Sequence, residues 1–335
     1  MARSKSRSRS RSKKPRAEKP TYPTAIGELL DGRFLVERYF NSELLPNYYL
    51  GTYHDSDRTR WIFIKMKHNQ DSNDIDMIRW EYKIYKSLET SAGMLRVPQP
   101  LYFGSILTYE AIVLELLGPS LLDMWNKCDQ RLSIRALAQI GYQLICLMKY
   151  FHDRGFVYRN IRPEHFLYGV TGSEKWMWMY AIDLKWCKTY SNEQQSHIKM
   201  EQANGPLQIG THIRYMSINA HRGVEQSRRD DLESIGYLLT YLFCRKLPWM
   251  ELENIVDRNE CHRRIAECKE KSSSTICQRM LHEFEQYLTT VRKLSFDEKP
   301  NYQNLGELFL NVQRSIGFES KFDLYDWNIF HRPKN

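Results

Sequence analysis

The sequence predicts an α+β chain of two lobes, a small antiparallel β-sheet lobe carrying one helix and then a larger, mainly helical lobe. Three observations predict it. Residues 31–116 break into short β-branched and aromatic runs separated by turn-forming residues. Beyond residue 120, apolar residues recur at spacings of three and four over long windows. Between the two regions, Leu117-Gly118-Pro119-Ser120-Leu121 interrupts both patterns, as a hinge does.

In chain order, the first strands are Arg33 to Arg38, Asn47 to Tyr53 and Arg60 to Lys65, the last carrying Trp61, Ile62, Phe63 and Ile64. The polar run His54-Asp55-Ser56-Asp57 reads as the turn between the second and third. A helix follows from Asp74 to Leu88, with Ile75, Ile78, Tyr82 and Tyr85 on one face and Glu81 on the same helix. Pro100 to Gly104 and Glu110 to Leu116 complete the sheet. Helices are then expected at Ile134 to His152, Asp230 to Phe243, near Thr275 to Val291, and Tyr302 to Ser315. The expected organisation is a tail over 1–30, a first lobe over 31–116 and a second over 117–330.

Composition narrows the class. The chain has 335 residues, 42% of them hydrophobic, enough for a large core. No run of about 18 apolar residues occurs and no apolar stretch follows the basic N-terminus, so neither a membrane span nor a secretory signal is expected. The seven cysteines are scattered and never spaced Cys-x-x-Cys, which reads as reduced thiols. Nucleus and cytoplasm are the expected addresses. Of the net charge of +9, the first 20 residues hold nearly all: nine Lys or Arg against Glu18 alone. This Arg/Lys-Ser repeat cannot bury a core and reads as a disordered tail, suited to an import receptor, to RNA phosphates or to phosphorylation of its serines.

The most informative stretch is Phe156 to Leu167, Phe-Val-Tyr-Arg-Asn-Ile-Arg-Pro-Glu-His-Phe-Leu, a polar turn between apolar anchors. It resembles the catalytic loop of protein kinases, and the chain from Asp31 to Phe330 is similar to a protein kinase. Leu-Leu-Gly-Pro-Ser-Leu at 116–121 and Ser-Ile-Asn-Ala-His-Arg-Gly-Val-Glu-Gln-Ser-Arg-Arg-Asp-Asp-Leu-Glu-Ser at 217–234 narrow the resemblance to casein kinase 1. The resemblance implies the bilobal kinase fold, ATP as cofactor and protein substrates or partners. It also implies that Asp230 or Asp231 reaches back to the catalytic loop.

Carried over residue by residue, Lys65 matches the lysine that grips the nucleotide phosphates, Glu81 its ion-pair partner and Asp183 the Mg²⁺-binding aspartate. Glu115 and Leu117 match the hinge groups that meet adenine. Other positions depart from the pattern. Residues 40–46 hold no glycine where the phosphate loop belongs, and Glu43 puts a carboxylate there. Asn160 stands at the place of the catalytic aspartate, and an amide takes no proton at neutral pH. His165 replaces a metal-binding asparagine, Arg162 the catalytic-loop lysine, and Lys185 the glycine after the metal-binding aspartate. These changes move the matched positions two charge units toward positive. Arg214 matches an arginine that binds anionic substrates in this family, yet Glu251, Glu253 and Asp257 follow Leu247-Pro248-Trp249 where the family has lysines. The expected function is therefore a casein kinase 1-like pseudokinase, a monomer with weak ATP binding that acts as a regulatory or interaction module. An active divergent Ser/Thr kinase and a nuclear adaptor using its basic tail are the alternatives.

Overall fold

The computed structural model describes residues 25–40, 45, 47–55, 58–69, 72–89, 95–191, 197, 199–203, 205–206, 212–272, 275–317 and 325–327. The tail over 1–20, and with it Glu43 of the expected phosphate loop, lies outside the described residues. The first lobe is one antiparallel sheet of β1 (Leu29–Leu30), β2 (Phe34–Tyr39), β3 (Tyr48–Asp55), β4 (Arg58–His68), β5 (Pro100–Ile106) and β6 (Tyr109–Glu115). Their order is β1-β2-β3-β4-β6-β5. Helix α1 (Ser72–Leu88) connects β4 to β5. Because side chains alternate along a strand, Ile62, Ile64 and Met66 of β4 enter an apolar cluster with Val36, Tyr49 and Val113. Phe63, the other parity, joins Ile78 and Tyr85 of α1 in the main core. Lys65 shares the parity of Phe63, so period two sends it toward α1.

The second lobe is built on α3 (Ile134–His152), whose buried face packs against α5 (Arg228–Cys244) and α8 (Tyr302–Ile316). Ser133 caps α3 through the Ala136 amide. The loop with Asn160 runs between β7 (Phe156–Val157) and β8 (Phe166–Tyr168). The first of these strands pairs with β10 (Lys188–Thr189) and the second with β9 (Met179–Ala181), so both ends of the loop are fixed. Beyond α8, Tyr325 and Trp327 stack on each other with ring centroids 4.5 Å apart and pack edge-on to Tyr168. Gln143 of α3 donates to the Tyr325 hydroxyl, and Asp326 accepts from the Ser133 amide at 2.6 Å.

Three expectations need correction. The fold begins before residue 31, since Ala25 and Leu30 are buried and β1 pairs with β2. The helix expected near Thr275 to Val291 starts only at His282, as α7 (His282–Arg292), while residues 275–279 form turns that bury Ile276 and Cys277. Three further helices were not expected: α2 (Leu121–Lys127), the short α4 (Ile218–His221) and α6 (Arg258–Lys271). The first is announced by a Ser-x-x-Asp capping box, Ser120 and Asp123 exchanging hydrogen bonds. The last is charged on most faces and buries only Cys261, His262, Ile265, Ala266 and Lys269, too narrow a stripe to stand out. No helix among the described residues is long and apolar enough to cross a membrane.

Candidate active site

The loop of residues 158–165 is held from below by one carboxylate. Asp231, in the first turn of α5, accepts from the Tyr158 amide at 2.7 Å, the Arg159 amide at 2.8 Å and His152 Nε2 at 2.9 Å. Its neighbour Asp230 instead accepts from Ser217 Oγ at 2.6 Å and the Ser227 amide at 2.8 Å, and burial pushes it up to about 6. Asp231 is thus the residue that reaches the loop, and Asp230 holds α4. Arg159 takes φ = 61°, a left-handed conformation that a non-glycine residue keeps only where its surroundings fix it. The Asp231 bond to its amide is such a constraint.

Above the loop, three charged residues from distant elements meet. Lys65 Nζ donates to Glu81 Oε2 at 2.6 Å and to Asp183 Oδ1, and it lies 5.2 Å from the Tyr48 ring centroid. All three are buried. Burial opposes the Lys65 charge, but the Asp183 and Glu81 carboxylates outweigh it and hold the ammonium above its ordinary value. Burial raises Glu81, while Lys65 pulls the other way. Asp183 is held well below the carboxylate range despite its burial, by Lys65 first and then His165 and Lys185. The second Glu81 oxygen accepts from the Leu184 amide at 3.1 Å and ties α1 to the turn after Asp183. Trp80 adds a bond to the Cys187 carbonyl at 2.9 Å.

The remaining loop residues converge on the same carboxylate. Asn160 Nδ2 donates to Asp183 Oδ2 at 3.0 Å and to the Asp183 carbonyl at 2.9 Å, while Asn160 Oδ1 is buried with no partner among the described residues. His165 Nδ1 lies 3.3 Å from the Asn160 carbonyl and its Nε2 3.7 Å from Asp183 Oδ2, and burial lowers its pKa. Lys185 Nζ stands 3.4 Å from Asp183 Oδ1. Arg162 turns instead to Glu164, at 3.5 Å.

Mg²⁺ is the ion that the resemblance places at Asp183, and the donor set does not fit it. A magnesium ion wants several oxygen ligands in octahedral array. Both Asp183 oxygens face N–H or ammonium groups, and His165 offers nitrogen where a second oxygen ligand belongs. No group of three or more His, Cys, Asp or Glu side chains among the described residues could hold a metal.

Beside this cluster lies a mainly apolar cleft of about 400 Å³, lined by Phe40, Leu45, Leu50, Leu116, Leu117 and Leu167 with Asp123 and Glu164 at its edge. Its size suits a purine nucleoside. Leu117 lines it and its backbone amide and carbonyl have no partner among the described residues, whereas the Glu115 amide is bonded to Gln99 at 2.9 Å. Sequence reasoning missed Asp123 and Tyr48. The capping box could have revealed the first, but nothing local marks Tyr48 as the ring beside Lys65.

The expected anion-binding arginine is already paired. Arg214 donates from Nε and Nη2 to the two oxygens of Glu253, both at 2.9 Å, and lies 4.8 Å from the Tyr241 ring centroid. Such a bidentate pair uses the planar fork of the guanidinium. Glu253→Gln is expected to free it and to strengthen binding of a phosphoserine peptide about tenfold over the unphosphorylated peptide, the order of one charged hydrogen bond. Fluorescence anisotropy would measure this, and an unchanged phosphate preference would show that Arg214 does not face the ligand.

No family model matches the chain. Among curated proteins it is 35% identical over 273 residues to Casein kinase I homolog 2 of Schizosaccharomyces pombe, covering 81% of this chain and 61% of that protein. It is also 35% identical over 272 residues to Casein kinase I homolog 3 of the same organism, covering 81% and 60%. The chain spans about three-fifths of the length of these relatives. With an antiparallel sheet lobe, a helical lobe and the Lys65–Glu81–Asp183 cluster between them, the chain belongs to the casein kinase I family.

Proposed function

We propose that this chain is a casein kinase I-type pseudokinase, a folded module that binds nucleotide weakly and acts through protein partners in signalling rather than by phosphotransfer. One observation carries the reading. At the position where the family abstracts a proton stands the amide of Asn160, its N–H aimed at Asp183. Loss of general-base help costs about 10²- to 10⁴-fold. Incubation with labelled ATP, Mg²⁺ or Mn²⁺ and casein is expected to give a rate indistinguishable from that of Lys65→Met. Robust wild-type turnover that vanishes in Lys65→Met would instead establish an active divergent Ser/Thr kinase. That alternative is favoured by the intact Lys65–Glu81 pair and by Glu164, a carboxylate bordering the cleft. Arg214, closed by Glu253, speaks against a preference for acidic substrates.

The basic tail supports a nuclear as well as cytoplasmic address and contact with an import receptor or RNA. Deleting residues 1–20 with no change in location or RNA association would remove that role.

A further inference from the structure

The carboxylate that would hold a metal in this cleft is occupied by the protein's own nitrogen groups. Lys65 and Lys185 face Asp183 Oδ1, and Asn160 and His165 face Oδ2. Lys185 belongs to the short 3-10 turn Leu184–Trp186, whose first amide is fixed by Glu81, so its backbone is anchored at the end of the cluster. Its side chain is about a quarter exposed, against 3% for Lys65. The Lys185 ammonium therefore touches Asp183 and is still open to solvent. Lys65 is enclosed, but Lys185 can turn its remaining N–H groups to an incoming anion.

A nucleoside triphosphate entering beside Leu117 carries about four negative charges when free and about two fewer when chelated to Mg²⁺. Lys65 and Lys185 balance Glu81 and Asp183 and Arg162 is paired with Glu164, so the cluster meets the anion without net negative charge, and Lys185 is its exposed cation. A divalent ion would have to displace an ammonium from Asp183, and it would also mask the phosphate oxygens that Lys185 can reach.

We propose that the cleft takes a nucleoside triphosphate as the metal-free polyphosphate anion, with Lys185 supplying the positive charge that a divalent ion supplies in a metal-dependent kinase. The inference rests on the nucleotide binding proposed above and states in which ionic form the nucleotide enters.

Isothermal titration of the full chain with ATP, once in excess EDTA and once in excess MgCl₂, tests it together with Lys185→Gly and Lys185→Arg. Wild type is expected to bind in EDTA at least as tightly as in MgCl₂. Lys185→Gly is expected to lose about tenfold in EDTA, the order expected for one charged contact, and to gain affinity from Mg²⁺. Lys185→Arg keeps the charge and should bind in EDTA as wild type does, which separates loss of charge from loss of fold. Binding by wild type in MgCl₂ only would overturn the inference while leaving nucleotide binding intact. Binding in neither buffer would overturn both, and Lys185→Gly binding in EDTA like wild type would remove Lys185 from the role.

Discussion

Asn160→Asp alone is expected to lower the melting temperature by several degrees and to raise phosphotransfer to casein less than tenfold. The reason is the neighbour. The Asn160 amide donates to Asp183 Oδ2 at 3.0 Å, and a carboxylate in its place sets two like charges at that distance inside a buried cluster. At an effective dielectric constant of about 20 the gross repulsion is on the order of 5 kcal/mol, partly offset by Lys65 and Lys185. The added acid either stays protonated or forces the cluster apart, and neither state is a working base. Combining Asn160→Asp with His165→Asn and Lys185→Gly removes a nitrogen ligand and one cation, so two carboxylates and an amide oxygen can share a magnesium ion. That triple variant is expected to be stabilised by Mg²⁺ and to transfer phosphate about 10²- to 10⁴-fold faster than wild type. Thermal unfolding with and without Mg²⁺, beside a casein assay, reads both effects. Turnover by the single variant equal to that of the triple variant would mean that a carboxylate at position 160 suffices and that the surrounding cations are incidental.

Asp231→Ala is expected to be among the most destabilising single changes in the chain. The carboxylate is 1% exposed and is shared by His152 and the Tyr158 and Arg159 amides. Removing it strands two backbone donors and a histidine away from water and releases Arg159 from its left-handed conformation. Breaking a buried, hydrogen-bonded charge costs about 3–5 kcal/mol, on the order of 10 °C in a domain of this size. Asp231→Asn should cost less, since the amide keeps one acceptor. Calorimetry of the two variants measures the difference, and equal melting temperatures would contradict it.

The meeting of Lys65 with Glu81 was legible because the resemblance to a kinase fixes the order of the strand and helix that carry them. Period two along β4 places Lys65 beneath α1, and the helical spacing of Ile78, Tyr82 and Tyr85 fixes which face α1 turns to the sheet. What the sequence could not reveal is pairing across long separations. Arg214 and Glu253 lie 39 positions apart and Lys65 and Asp183 118 apart, and no local pattern says that either arginine or lysine is closed by that particular acid. The acids after Trp249 looked like a lost substrate preference; the fold shows one of them closed on Arg214. Helix α6 escaped notice for the opposite reason. Its buried Lys269 sits over Tyr237 and Trp249 at 4.6 and 4.8 Å and donates to the Met216 carbonyl, burial holding its pKa well below the ordinary value, so a lysine fills a place where periodicity expects an apolar residue.

The stacked pair Tyr325 and Trp327 has a bearing on how the lobe is made. The pair packs on Tyr168, Tyr325 accepts from Gln143 of α3, and Asp326 between them accepts from the amide of Ser133, the cap of α3, the last two partners lying 182 and 193 positions earlier. A nascent chain leaving the ribosome therefore exposes Tyr168 and the start of α3 until residues 325–327 emerge. Until then that aromatic surface stays open to chaperones, and it closes only when residues 325–327 dock.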